Sequence, residues 1–221
     1  MATPLETNID GLAPLSWSDS SNITIALAQS NYPNDQPLFS GSLTGQENTL
    51  LVAATHIWES VANVTFRFVP DDQVNVPDIR VGLAELGADT QTMQFIGYTS
   101  YHWDVSTGSF LPDTLVAVED PLEKPVTPLA DGDLSYDGTV STMLQVLLHE
   151  LGHSLGLDHN PNDPSSIMNP TSTRDNPVPD AQDIAAIQSL YGAPAQPLSL
   201  QPTESGTLHA LLSGTSLADL A

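Results

Sequence analysis

"HELGHSLGLDH", His149 to His159, places three of the chain's six histidines, one glutamate and two glycines within eleven residues. The apolar residues Met143, Leu144, Leu147, Leu148, Leu151 and Leu155 recur at helical spacing and predict a helix from about Thr139 to Leu155. On that helix His149 and His153 stand four residues apart on one face. Two imidazoles so placed suit one tetrahedral zinc at roughly 2.0–2.1 Å each. Glu150 sits beside the first of them, placed to reach a water at the metal without ligating it. Gly156 tolerates positive φ, so the chain can leave the helix sharply and return His159 as a third ligand. Three protein ligands leave a fourth position open, the arrangement of a catalytic rather than a structural zinc.

A bare HExxH also occurs where both histidines are surface residues of an amphipathic helix. Gly156 and His159 at these offsets set the present segment apart. Zinc peptidases of the thermolysin type draw their third ligand from a downstream glutamate, yet no glutamate lies between Glu150 and Glu204 here. His159 is the ligand left.

The rest of the composition narrows the setting. With 221 residues and 40% hydrophobic content, the chain suits one sizeable domain with a small appendage. No apolar run approaches the roughly 18 residues of a membrane span, and "MATPLETNID" lacks the basic and apolar regions of a secretory signal. Cysteine is absent, so any metal must be held by nitrogen and oxygen. Twenty-seven acidic residues face four basic ones, for a formal net charge of -23. That field disfavours nucleic acid and anionic membranes and favours cations. It fits either a solubilising surface or calcium binding.

"NITIALA" (Asn22 to Ala28), "VTFRFV" (Val64 to Val69) and "DIRVGL" (Asp78 to Leu83) alternate as strands do. Between the first two, Thr44 and Glu47 form a capping box, and Leu50, Leu51, Ala54, Ile57, Trp58 and Val61 follow at helical spacing. Strand, helix, strand, strand implies a sheet with a crossover helix. "FIGYTSYHW" and "TLVAVED" are two further strand candidates, followed by a Pro-, Gly- and Asp-rich loop, "DPLEKPVTPLADGDLSYDG". "DAQDIAAIQSLYG" reads as a last helix capped by Asp180 and ended by Gly192. Residues 193–221 read as linker and tail, and there is no internal repeat.

HExxHxxGxxH followed by a Met-turn is the metzincin signature. The chain carries it in His149–His159 and in "SSIMNP", where Met168 follows His159 by nine residues. It resembles the metzincin zinc metalloproteases, most of all their serralysin and matrixin branches. "ANVTFRFV", "DIRVG" and "DIAAIQSLYGA" add to the likeness, which spans roughly residues 12–193.

The resemblance implies an α+β fold of zincin type: a twisted five-stranded mixed sheet over two long helices, and a small lower subdomain after Gly156 with a carboxy-terminal helix. On that basis residues 1–192 form the catalytic domain, divided at about 156, and the cleft lies between its parts. One catalytic zinc would be held by His149, His153 and His159. Glu150 would be the general base for hydrolysis of internal peptide bonds of protein or peptide substrates, with Met168 packed beneath the metal.

Residues from Asn169 towards Asn176 would line the pocket for the side chain after the cleaved bond. An edge strand around Thr99 to Trp103 would align an extended substrate. A monomer acting outside the cell is the corresponding expectation. Pro170 stands where serralysins carry a zinc-binding tyrosine, so no phenol is expected on the metal. His102 is the lone histidine between Trp58 and His149, which leaves no histidine-rich second zinc site of the matrixin kind.

Two rival readings accompany this one. The fold could serve as a non-catalytic zinc-binding module. Alternatively the tail, or the amino-terminal "NIDG" with Asp10, could fill the cleft and hold the enzyme inhibited. Separately, Asp131, Asp133 and Asp137 of "DGDLSYDG" read as calcium ligands or as a solvated acidic loop.

Overall fold

The computed structural model describes residues 14–87 and 95–195. The tail beyond residue 195 and the "NIDG" segment with Asp10 therefore lie outside the described residues, as does any question of their filling the cleft.

Among the described residues the first elements are β1 (Ile23–Leu27) and β2 (Phe39–Gly41), then α1 (Gly45–Val61), β3 (Phe66–Phe68) and β4 (Ile79–Ala84). Next come β5 (Gly97–Ser100), a hairpin of β6 (Trp103–Asp104) and β7 (Ser109–Phe110), and β8 (Thr114–Glu119). A second hairpin, β9 (Val126–Pro128) and β10 (Leu134–Tyr136), precedes α2 (Met143–Ser154) and α3 (Ala181–Tyr191). The main sheet runs β3-β1-β4-β8-β5, parallel except for β5 at one edge. This is the expected five-stranded mixed sheet. Short β2 adds to it by pairing with the end of β4 beyond the reach of β1.

Every residue of β4 and β8 is buried, as expected for central strands covered on both faces. Ile79, Val81, Val116 and Val118 face the main core, which α1 and α2 close. Trp58 of α1 is fully buried there, and its Nε1–H donates to the Leu148 carbonyl of α2 at 3.1 Å. That bond meets the polar demand of an otherwise apolar contact. On the opposite face stand small residues, Ala28, Ala84 and Ala117, over which Phe39 packs. A Cβ on Gly82 would lie 2.5 Å from the Phe39 ring, so the close approach needs glycine.

Arg80 points to that same face and is fully buried. Its guanidinium donates to Asp71 and Asp35 at 2.8 Å each and to Asp113 at 3.2 Å, and stacks 3.3 Å from the Tyr32 ring centroid. The sequence counted Arg80 among four basic residues without signalling this role.

Three expected elements take other bounds. The stretch "FIGYTSYHW" is not one strand: β5 ends at Ser100, and Trp103 turns away to pair with Phe110. The sheet edge is therefore Gly97–Ser100 rather than Thr99 to Trp103. The segment read as a Pro-rich loop contains the β9–β10 hairpin, with Gly132 at φ 94° in its turn. The helix expected from about Thr139 begins at Met143, because hydroxyls upstream offer the backbone local partners. Ser141 N–H donates to Thr139 Oγ1, and Thr142 Oγ1 accepts from Gln145 N–H as the helix cap.

Candidate metal centre and active site

His149 and His153 project from α2, and each turns its Nδ1 towards a backbone carbonyl. His149 Nδ1 lies 2.7 Å from Ile167 O, and His153 Nδ1 lies 2.7 Å from Leu157 O. A carbonyl only accepts, so both Nδ1 atoms carry the proton and both Nε2 atoms present a lone pair. The sharp exit from α2 supplies one of these carbonyls. Gly156 has φ 97°, and Leu157 N–H turns back to the Gly152 carbonyl at 2.9 Å, which aims Leu157 O at His153. The same turn carries His159 round to the other two histidines.

The Nε2 of His153 lies 3.1 Å from that of His149 and 3.2 Å from that of His159. For His149 and His153, with their protons on Nδ1, this is no hydrogen bond: two lone pairs meet, and they repel unless a cation lies between them. A tetrahedral zinc with bonds of roughly 2.0–2.1 Å sets its ligands about 3.3 Å apart. The three histidines fit that ion.

Each ring keeps an edge open to the cleft, yet the surrounding protein is dense enough to disfavour the imidazolium. Burial pushes His149 down to about 4, against the opposing bond to Ile167 O. His153 is driven well below its ordinary value, first by burial and then by its two neighbours. His159 is lowered by burial, against the nearby Asp158. All three shifts favour the neutral imidazole, the form that ligates a metal.

Glu150 lies at the same cleft, 6% exposed. Burial raises its carboxyl to about 7, and a hydrogen bond from Thr99 Oγ1 to Oε2 at 2.7 Å opposes the rise. The cleft encloses about 270 Å³ and is lined by β5, Val146, Asn169, Pro170 and Ser172 together with the histidines. Asn176, expected in the pocket lining, is instead buried and accepts from Gln145 Nε2 at 2.6 Å. It shapes the loop from behind.

Met168 is fully buried, with its sulfur packed on Gly152 where a Cβ would otherwise meet it. Asp183 of α3 accepts from Ile167 N–H at 2.7 Å and from Ser166 Oγ at 2.5 Å. Through Ile167 it holds the carbonyl that orients His149. Neither Asp183 nor Thr99 stood out in the sequence; a carboxylate at the third helical position after cap Asp180 was the one available sign of the former.

Tyr191 and Tyr136 place their phenols away from the three histidines. Tyr191 OH donates to Leu155 O at 2.9 Å, and Tyr136 OH donates to Glu119 O at 3.2 Å inside the core. The three loop aspartates do not gather round one point. Asp133 Oδ1 accepts from Leu144 N–H at the start of α2, and Asp137 accepts from Thr127. Among the described residues, the three histidines are the one group of three or more His, Asp or Glu side chains whose ligand atoms converge within 4.8 Å.

Comparison with known proteins agrees with this geometry. The model of the matrixin family matches residues 17–192, which include the whole site. This chain belongs to the matrixin family. Of the two branches that the sequence resembles, the matrixin one is matched. Matrixins use a catalytic zinc, and the histidine triad of this matrixin is able to bind it.

Among its relatives is the macrophage metalloelastase of Rattus norvegicus, 51% identical over 69 residues, covering 30% of this chain and 14% of that protein. Matrix metalloproteinase-16 of Homo sapiens is 29% identical over 154 residues, 64% of this chain and 23% of that protein. Matrilysin of Felis catus is 33% identical over 155 residues, 65% of this chain and 50% of that protein. The chain thus spans half or less of each of these relatives.

Proposed function

We propose that this matrixin is a zinc-dependent endopeptidase that hydrolyses internal peptide bonds of proteins. One observation carries the reading: three imidazole Nε2 atoms converge beside a buried carboxylate, in a cleft open to an extended chain. His149, His153 and His159 are the proposed ligands, and Glu150 is the proposed general base.

Bound zinc supplies Lewis acidity, which polarises the scissile carbonyl and lowers the pKa of water towards about 7. Glu150 accepts the proton of the attacking water on its carboxylate. The water oxygen bonds to the carbonyl carbon, the carbon–nitrogen bond breaks, and Glu150 returns the proton to the leaving amine. Among the described residues β5 is an edge of the main sheet, and its outer backbone side would receive an extended substrate as an added strand. Asn169, Pro170 and Ser172 bound the space for the side chain that follows the cleaved bond.

The reading extends to a monomer acting on proteins outside the cell, with residues 1–192 as the catalytic unit and 193–221 as linker and tail. Among the described residues no helix is long and apolar enough to cross a membrane. The net charge of -23 argues against nucleic acid as a partner.

Digestion of casein with and without a zinc chelator tests the proposal. Cleavage that stops on chelation and returns with added zinc is the expected result. Intact casein after prolonged incubation with the zinc-loaded chain would overturn it.

A further inference from the structure

The carboxylate of Glu150 does not hang free in the cleft. It lies against the inner side of β5, where Thr99 Oγ1 is 2.7 Å from Oε2 and 3.0 Å from the Glu150 backbone carbonyl. One hydroxyl proton serves one acceptor at a time, and the shorter contact, to a carboxylate, is the stronger. Two residues earlier on the same side of the strand stands Gly97. A Cβ there would overlap Glu150 Oε1 and approach Val146 Cγ1 to 2.7 Å and Glu150 Cγ to 2.8 Å. Gly97 thus leaves a notch that admits the carboxylate, and Thr99 closes it with a hydrogen bond.

Without these contacts the Glu150 side chain would sample several rotamers, each costing rate through misplacement of the base. Glu150 comes from α2, whereas the notch and the hydroxyl come from the strand that is proposed to bind substrate. We infer that Thr99 is a positioning residue for the reaction: its hydroxyl, with the notch at Gly97, fixes the proton-accepting carboxylate of Glu150 relative to the strand that aligns the scissile bond. This rests on the peptidase reading above. Thr99 touches neither the metal nor the reacting atoms, and it acts through Glu150.

The test compares Thr99→Val, Thr99→Ser and Gly97→Ala with the parent chain, all zinc-loaded, on fluorescein-labelled casein. Valine keeps the branched shape and strand preference of threonine, so the fold is retained while the hydroxyl is lost. Thr99→Val is expected to lower kcat roughly 10- to 100-fold, the range for loss of one hydrogen bond to a charged group. KM should stay within about twofold of the parent. Thr99→Ser should recover most of the loss, and Gly97→Ala should lower kcat by crowding the carboxylate.

A second readout needs no turnover. The carboxylate stretching band of Glu150, assigned from the infrared difference between the parent and Glu150→Gln, should shift in Thr99→Val and return in Thr99→Ser. Equal kcat in parent and Thr99→Val, a serine variant as slow as the valine one, or an unmoved band would overturn the role of Thr99. Casein left intact by the parent itself would instead overturn the peptidase reading and this one with it, so the two failures are distinguishable.

Discussion

The carbonyl oxygen of Leu15 occupies the space that a side chain on Gly156 would need. Leu15 is buried against the turn, and close by Trp17 Nε1–H donates to the Ser154 carbonyl at 2.9 Å. The start of the described chain therefore clamps the turn by which α2 ends and His159 is brought to its partners. Gly156 meets two demands at once, a φ of 97° and the absence of a Cβ.

Gly156→Ala should consequently act on the metal as well as on the fold. Alanine at positive φ destabilises by more than about 1 kcal/mol even without a clash, and here the Leu15 backbone must also give way. The expected outcome is a lower thermal midpoint together with faster loss of zinc to a chelator, because His159 and the Leu157 carbonyl both follow from this turn. A variant that released zinc at the parent rate would show that His159 is held by other contacts.

Glu150→Ala is expected to abolish casein cleavage while zinc stays bound. General-base contributions of roughly 10²–10⁴ in rate set the minimum loss. His149→Ala and His153→Ala should lose metal and activity together. Zinc analysis of the purified variants separates the two behaviours, and loss of zinc from Glu150→Ala would make Glu150 a ligand.

Arg80→Met should be strongly destabilising even though it lies on the sheet face away from the cleft. Removing the guanidinium leaves Asp35 and Asp71 buried without their counter-charge, which typically costs about 3–5 kcal/mol. Chemical denaturation measures the loss. Adding Asp35→Asn and Asp71→Asn to Arg80→Met should recover part of it, since the unpaired charges are then gone. A loss below about 1 kcal/mol in the single variant would mean that water reaches the cluster.

Asp71 gives this cluster a predictable response to acid. Burial raises its carboxyl, but the bonds from Arg80, Tyr32 and the Gln29 N–H outweigh that and hold it below the ordinary carboxylate range. A lowered folded pKa means that the folded state binds fewer protons than the unfolded one. The resulting stability is present above the unfolded value of roughly 3.9 and is lost as pH falls through the lowered folded value. Thermal midpoints of the parent and Asp71→Asn should therefore differ most above the ordinary carboxylate range and draw together as the pH falls below it. A constant difference over that range would assign the effect to packing instead of charge.

The histidine triad was legible in the sequence because it is local. A helix of 3.6 residues per turn brings His149 and His153 together at a spacing of four, and one glycine sends the chain back with His159. All three sit within eleven residues, so nothing outside the segment was needed to recognise the set. The capped helices were legible for the same reason: Thr44 with Glu47, and Asp180 ahead of "IAAIQSLYG", are short-range hydrogen-bond patterns. Of the central strands, β8 lies within "TLVAVED" and β4 overlaps "DIRVGL", both read as strands from the sequence.

Tertiary structure alone decided what meets those elements from far along the chain. Thr99 reaches Glu150 across 51 residues, and Arg80 meets Asp35 across 45. Such pairings depend on strand order and register, which place one residue of each strand opposite one residue of another and leave no periodic trace in either segment. The break after Ser100 and the hairpin within the Pro-rich stretch belong to the same class, since a strand of two or three residues is specified by its partner more than by its own side chains. Residues within one helix turn were thus determined by the backbone's own geometry, whereas the contacts that orient Glu150 and neutralise Asp35 and Asp71 exist only once the sheet has assembled.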